Sequence, residues 1–266
     1  MLSPGDRFEG YVVDAAVGRG GTSTVYRARE IRPPGRSVAL KVLTDDPPHP
    51  ADTARLEHEF VLGRRLVHPH IATVFDHGPG WLAMELLAGG PATNLPTRPD
   101  RLAALGQIAG ALDHVHEQGV VHCDVKPANM LLHEDFAERG AALADFGSAH
   151  VLGEAVPPRA THVTASLPYS APELLLGHQV TAATDEYALV CSAVELLTGA
   201  PPFIAATAMG VTAAQLSDPP PRLSRRIAWL PHAFDSIVAK ALAKQPAMRY
   251  PTCSEPIALI TRLLRP

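Results

Sequence analysis

A carboxylate, an ammonium group and a side-chain amide occur together near the middle of this chain, at Asp124, Lys126 and Asn129. They belong to one short stretch, HCDVKPAN, which combines an acid, a base and an amide carbonyl in a single loop. A second acidic motif, DFG, begins at Asp145 after a short apolar run, and the motif APE follows at positions 171–173. Acid and base groups held this close can align reacting groups and move a proton. The loop is therefore the first candidate for a catalytic site.

A glycine-rich stretch, GRGGTSTV at positions 18–25, precedes these motifs. Glycines let a backbone approach closely enough for its N–H groups to meet phosphate oxygens. A dinucleotide-binding fingerprint needs a helix directly after the glycines, whereas a strand-like run follows here. The stretch alone leaves two interpretations open, a phosphate-binding loop and a plain hairpin turn.

The elements that must position these groups change in character along the chain. Alternating β-rich runs at 8–17, 24–29 and 38–43 predict three antiparallel strands, with two shorter strands at 71–75 and 81–85. Between them Asp52 offers an N-cap for a helix that carries Glu59, Gly63 and Val67 on one face. Helical periodicity then dominates, at 102–116, 186–197, 233–243 and 257–264. The pattern predicts an α+β protein with a small strand-rich lobe and a larger helical lobe.

Lys41 ends the run VALK on the third predicted strand, and Glu59 lies on the next helix. Together with the glycine-rich stretch, HCDVKPAN, DFG and APE, they occur in the order and spacing of the protein kinase motifs. Over roughly residues 11–264 the sequence resembles the bacterial Hanks-type serine/threonine protein kinases. The resemblance implies a single bilobal kinase domain over 1–266, with an antiparallel-sheet N-lobe at about 1–86, a hinge at about 85–90 and a mainly helical C-lobe at about 91–266.

The resemblance also implies the chemistry, transfer of the γ-phosphoryl group of Mg-ATP to serine or threonine hydroxyls of proteins, with autophosphorylation. It assigns catalytic roles to Asp124, Lys126, Lys41 and Glu59. Lys41 would hold phosphates with its ammonium fixed by Glu59, and Asp124 would align the substrate hydroxyl and accept its proton. Asn129 and Asp145 would supply the oxygen ligands of Mg²⁺, or of Mn²⁺ in its place.

The implied ATP site includes the glycine-rich stretch, the walls of an adenine pocket and the backbone of the hinge. Ordinary core packing is the alternative interpretation of its apolar members. The residues are Val17, Gly18, Arg19, Gly20, Gly21, Thr22, Ser23, Thr24, Val25, Ala39, Lys41, Met84, Glu85, Leu87 and Leu131.

The implied activation segment contains Thr161, Thr164 and Ser166, and Glu173 near its end would pair with Arg249. Two departures from the family pattern stand out. Cys123 replaces the arginine usual before the catalytic aspartate, so a phosphate on either threonine would lose its usual partner. Gly63 interrupts the helix that carries Glu59. Because glycine disfavours a helix interior, Gly63→Ala is predicted to stabilise this helix and raise activity.

The composition argues against several other classes of protein. A hydrophobic content of 46% supports a real core, and the net charge of −4 does not favour nucleic-acid binding. The longest apolar runs fall short of the ~18 residues of a membrane span, and the polar N-terminus does not resemble a signal peptide. Three separated cysteines fit reduced thiols in the cytoplasm. The pairs His68/His70 and His114/His116 lack a Cys/His quartet, so no zinc site is predicted.

Two rival functions share parts of this pattern. A pseudokinase scaffold would have the same fold, but the six charged or amide residues of the implied catalytic centre are all present. A small-molecule phosphotransferase would lack the APE motif and its arginine partner. The protein substrate cannot be named from the sequence, and a dimer through the N-lobe or the activation segment is an open expectation.

Overall fold

The computed structural model describes residues 1–45, 47–153 and 166–265. The first part of the chain forms a six-stranded antiparallel sheet in the order β1-β2-β3-β4-β6-β5. Its strands are β1 (Arg7–Phe8), β2 (Tyr11–Arg19), β3 (Ser23–Glu30), β4 (Ser37–Leu43), β5 (Val74–Gly78) and β6 (Trp81–Glu85). The three long strands agree with the alternation of the sequence. The predicted strand at 71–75 lies three residues further along, because Ile71 makes only an isolated bridge to Leu143.

Helix α1 (Pro50–Arg65) packs against the strands β5 and β6. Its N-cap is His49, whose Nδ1 accepts a hydrogen bond from the N–H of Ala51, so the prediction of Asp52 as the cap was wrong. Asp52 lies instead in the first turn, where a carboxylate favours the helix dipole. Val67 was also assigned wrongly, because the helix ends before it and its side chain is exposed.

The structure contradicts the expectation for Gly63. This residue is buried where α1 crosses β5, and a Cβ added there would overlap Cγ2 of Val74 and lie 3.2 Å from Cβ of the same residue. Neighbouring atoms cannot approach so closely, so alanine would force the helix and the strand apart. Gly63 is thus a close-packing position, and the packing outweighs the lower helix propensity of glycine.

The remainder of the described chain is mainly helical. Its helices are α2 (Arg98–Glu117), α3 (Phe136–Arg139), α4 (Pro172–Leu175), α5 (Ala182–Thr198), α6 (Ala208–Ser217), α7 (His232–Ala241) and α8 (Ser254–Leu264). Five short strands, β7 (Gly90–Pro91), β8 (Val120–Val121), β9 (Met130–Leu132), β10 (Ala141–Leu143) and β11 (His150–Val151), pair in two small antiparallel sheets. Helix α6 was not predicted, because its two buried residues, Ala214 and Gln215, are adjacent in sequence and supply no apolar stripe of helical spacing.

Helix α5 is the centre of the helical part. It begins with a capping box between Thr181 and Thr184 and ends at Gly199, which takes the left-handed conformation at φ 87°. It contacts α2, α7 and α8 and is buried along nearly all its length. This setting makes α5 a rigid support for the loops around it. No helix in the described ranges has the length and apolar character needed to cross a membrane.

Candidate active site

The first group of predicted site residues lies between the sheet and α1. Lys41 on β4 donates to Oε2 of Glu59 at 2.7 Å and to Oδ1 of Asp145 at 3.0 Å. Glu59 is buried, whereas the alternative carboxylate, Glu57, is exposed on α1. Burial opposes the charge on Lys41, but the two carboxylates outweigh it and raise the pKa of the ammonium group. The lysine is therefore held as a cation that α1 and the DFG motif position jointly.

Asp145 is the second acid of this group. Its backbone has φ 66°, a left-handed conformation that is uncommon outside glycine, and it turns the carboxylate toward Lys41. The ammonium group holds the pKa of Asp145 at about 2, so the carboxylate stays ionised. At the neighbouring Gly147 an added Cβ would lie 3.3 Å from the carboxylate oxygens of both Asp145 and Glu59. A side chain there would crowd the two acids, which explains the glycine of the motif.

The second group lies on the loop between β8 and β9. Asp124 accepts hydrogen bonds from Nζ of Lys126 at 2.9 Å and from Oγ of Ser166 at 2.6 Å. The lysine also donates to the Ser166 hydroxyl at 2.9 Å, which closes a triangle of three side chains. Asn129 completes the group, because its amide nitrogen donates to the backbone oxygen and to Oδ2 of Asp124. Four predicted residues from two separate segments thus meet around one carboxylate.

Asn129 and Asp145, the predicted metal ligands, lie on adjacent parts of the structure. The N–H of Ala144, the residue before Asp145, donates to the backbone oxygen of Asn129 at 3.0 Å. Since the Asn129 amide nitrogen points to Asp124, its side-chain oxygen is the atom left for a cation. Lys41 bonds one oxygen of Asp145. An amide oxygen and an ionised carboxylate form a donor set suited to a hard divalent cation.

Asp185, at the start of α5, fixes this loop, and sequence reasoning did not identify its role. Its fully buried carboxylate accepts hydrogen bonds from the N–H groups of His122 and Cys123, at 2.7 and 2.8 Å, and pairs with Nε2 of His116 at 2.8 Å. Cys123 has φ 65°, a conformation that these bonds help to maintain. The signal that could have revealed Asp185 is the acidic pair Asp185 and Glu186 at the start of a largely apolar helix.

The glycine-rich stretch forms the hairpin between β2 and β3, and the strand-like run after the glycines is β3. Arg19, Gly20 and Gly21 are exposed at its tip, whereas Ser23 and Thr24 are buried at its base. The hairpin is anchored by a bond from the N–H of Gly20 to the oxygen of Ser23, and Thr22 accepts from the N–H of Thr44. Its tip can approach a ligand at the edge of the sheet. Val17 and Gly18 lie on β2 beside it.

The predicted adenine pocket consists of residues that the sheet brings to neighbouring positions. Ala39 pairs with Met84 across β4 and β6, and Val25 on β3 pairs with Lys41. The N–H of Glu85 donates to Thr73 at 2.8 Å, which leaves only its backbone oxygen for a base. Leu87 belongs to a small apolar cluster, and the partly buried Leu131 packs against it. That these residues bind an adenine base stays a prediction, and core packing is the alternative.

The predicted ion pair between Glu173 and Arg249 is present and deeply buried. Two parallel bonds of 2.8 Å join the guanidinium group to the carboxylate, and the arginine also donates to the backbone oxygens of Ala183 and Ala243. This bidentate arrangement connects α4 to the segment before α8.

The two threonines of the implied activation segment, Thr161 and Thr164, lie outside the described residues.

The sheet, the helical part and this site define a protein kinase. The chain belongs to that family, since the profile described as "Protein kinase domain" matches residues 11–258. It is 38% identical to serine/threonine-protein kinase PknJ of Mycobacterium tuberculosis over 96% of this chain, and 37% identical to PknF of the same organism over 95%. The chain spans 45% of the length of PknJ and 56% of PknF.

Solved structures agree with this assignment. A crystal structure of the Mycobacterium tuberculosis PknI kinase domain matches with a TM-score of 0.74 and 31% sequence identity, over 99% of this chain and 100% of that one. A second crystal structure of the same domain matches with a TM-score of 0.73 at 32% identity, over 99% of each chain. These comparisons confirm the predicted bilobal kinase fold and the resemblance to serine/threonine kinases. Members of this family use ATP and a divalent cation.

Proposed function

We propose that this domain is an active protein kinase that transfers the γ-phosphoryl group of ATP to serine or threonine hydroxyls of protein substrates. The observation that carries the proposal is the simultaneous presence of two assembled groups. One joins Lys41 to Glu59 and Asp145, and the other joins Asp124 to Lys126 and Ser166. A binding scaffold has no need for charged groups held at hydrogen-bond distance in both places.

Asp124 acts on the substrate hydroxyl. Its carboxylate lies between Lys126 and Ser166 and is ready to align an incoming hydroxyl and accept its proton. Lys126 supplies positive charge beside that position, which steadies a negatively charged group in transfer. Ser166 acts through these two residues as a positioning residue, because its hydroxyl fixes both the carboxylate and the ammonium group.

Lys41 binds the phosphates of ATP, and Glu59 positions its ammonium group. The exposed tip of the glycine-rich hairpin covers the phosphates with its backbone N–H groups. Asn129 and Asp145 would hold Mg²⁺, which would supply positive charge to neutralise the phosphates, and Mn²⁺ would fit the same oxygen ligands. Val25 and Ala39 on one side and Leu131 on the other would bind the adenine ring, and the backbone of Glu85 and Leu87 would meet its edge.

The division into lobes follows from the same proposal. The N-lobe extends over about 1–86, the hinge over about 85–90 and the C-lobe over about 91–266, so the chain is one kinase domain. Its partners are protein substrates and a second copy of the chain, bound through the N-lobe or the activation segment. Three buried cysteine thiols, together with ATP as the phosphoryl donor, favour the cytoplasm as the compartment.

Mass spectrometry of the purified chain after incubation with Mg-ATP tests the proposal. We expect phosphate on serine or threonine residues of the wild type and none on Lys41→Met, with Arg64→Met as a control that removes an exposed positive charge on α1. A pseudokinase would leave all three chains unmodified. A small-molecule phosphotransferase would consume ATP only when a small hydroxyl compound is added, and either result would refute the proposal.

A further inference from the structure

A second cluster of ligand-type side chains lies away from the catalytic groups, where α2 meets the start of α8. Asp113 and His116 are three residues apart on α2 and so share one face of the helix. Cys253 immediately precedes α8. One donor atom from each of the three side chains lies within 4.8 Å of the others. The sequence does not reveal this set, because Cys253 is 140 residues away from Asp113.

We propose that Asp113, His116 and Cys253 form a zinc site that joins α8 to α2. A carboxylate oxygen, an imidazole nitrogen and a thiolate sulfur are the three donor types that zinc takes in proteins. In tetrahedral zinc sites, with bonds of about 2.0–2.3 Å, donor atoms lie about 3.5 Å apart. Each pair of donor atoms therefore needs to approach by no more than about 1.3 Å around the ion, and solvent supplies the fourth ligand.

The surroundings hold each of these ligands in position. Asp113 accepts hydrogen bonds from the N–H groups of Cys253 and Ser254, at 2.7 and 3.1 Å, so it fixes the backbone that carries the thiol. His116 pairs through Nε2 with Asp185 at 2.8 Å. A carboxylate behind a metal-binding histidine orients the ring and strengthens it as a ligand.

Charge and access also favour a cation here. The carboxylates of Asp113 and Asp185 both act on the Cys253 sulfur, a negative surrounding that a divalent cation would offset. Cys253 is only 1% exposed, whereas Asp113 and His116 are partly exposed, His116 by 11% of its side chain, so solvent reaches the cluster through them. Through Asp185 the same site reaches the backbone of His122 and Cys123, so an ion would also stiffen the catalytic loop.

Metal content and cobalt spectroscopy test the proposal on the full chain. We load the reduced protein with Zn²⁺, remove unbound metal and measure zinc by mass spectrometry, and we record the absorption spectrum of the Co²⁺ form. We expect stoichiometric zinc and an intense sulfur-to-cobalt charge-transfer band in the wild type. Both should disappear in Cys253→Ser and persist in Cys191→Ser, which removes another buried thiol, and in His114→Ala, which removes a neighbouring histidine.

Measurements of Tm show whether each variant still folds. Zn²⁺ should raise the Tm of the wild type and leave that of Cys253→Ser unchanged, and Asp113→Asn should bind zinc at least about tenfold more weakly while it keeps the thiol. If neither variant folds, the wild-type Co²⁺ spectrum decides alone. Substoichiometric zinc, a Co²⁺ spectrum without a thiolate band, or an unchanged spectrum in Cys253→Ser would overturn the proposal, and the cluster would then only anchor α8.

Discussion

Glu186 is a buried acid that the proposed mechanism does not use, and it makes a quantitative prediction about stability. The residue lies in α5, is 1% exposed, and neither carboxylate oxygen has a hydrogen-bond partner of good geometry among the described residues. The Arg249 cation and the N–H of Tyr250 favour its charged form slightly. Burial outweighs them and raises the pKa of Glu186 to about 9.

The sign of the pH effect follows from this raised pKa. Below about pH 4.5 the carboxyl group is protonated in both the folded and the unfolded chain and has no effect on stability. Between about pH 4.5 and 9 the unfolded chain has lost the proton that the folded chain keeps, so the free energy of unfolding falls by about 1.4 kcal/mol per pH unit. At pH 7 the penalty is on the order of 3 kcal/mol.

Glu186→Gln should remove this penalty, because the amide has the shape of the protonated acid and does not titrate. Urea unfolding of both chains from pH 5 to pH 8.5 measures the difference. We expect Glu186→Gln to be more stable at pH 7 by about 3 kcal/mol, and the difference to grow with pH. Glu57→Gln, at an exposed position on α1, should show no such trend. A Glu186→Gln difference that stays constant with pH would refute the reasoning.

Three further predictions concern packing and the ion pairs of the site. Gly63→Ala should lower stability by about 1–2 kcal/mol, a Tm decrease of roughly 2–8 °C, whereas Gly106→Ala, with no atom within 4 Å of its added Cβ, should raise stability by about 0.5–1 kcal/mol. Equal Tm changes in the two variants would contradict the packing argument. Arg249→Met should reduce the free energy of unfolding by about 3–5 kcal/mol in urea titrations, because it leaves the buried Glu173 carboxylate unpaired; a loss below about 1 kcal/mol would show that the pair matters little. Ser166→Ala should lower kcat at least about tenfold with little change in KM for ATP, because it removes the hydroxyl that holds Asp124 and Lys126 and that does not bind the nucleotide. An unchanged kcat would refute the positioning role.

The sequence predicted the elements that have strong periodicity. Strands β2, β3, β4 and β6 and helices α2, α5, α7 and α8 lie where the alternation or the apolar stripe indicated. Helix α6 has no such stripe, and the cap of α1 is a histidine, a residue type with little capping preference. These elements are defined by tertiary contacts and local backbone bonds rather than by a pattern along the chain.

The candidate site was predictable as a set of residues, because ordered motifs fix which side chains belong together. Its long-range supports were not. Asp185 holds the catalytic loop from more than 60 residues away, and Cys253 meets Asp113 only after α8 docks on α2. Gly63 shows the same limit, since helix propensity argues for alanine and only the position of Val74 reveals the lack of space. Packing between distant segments leaves no periodic trace in a single sequence.

The most direct test of the central claim is phosphoryl transfer to a protein hydroxyl with and without the Asp124 carboxylate. The inactive Lys41→Met chain serves as substrate, and wild type, Asp124→Asn and Asp135→Asn serve as enzymes with labelled Mg-ATP. We expect wild type and Asp135→Asn, which changes an exposed acid, to label the substrate on serine or threonine at equal rates. Asp124→Asn should be slower by at least about 100-fold and still bind ATP. Labelling by Asp124→Asn at the wild-type rate would contradict the account.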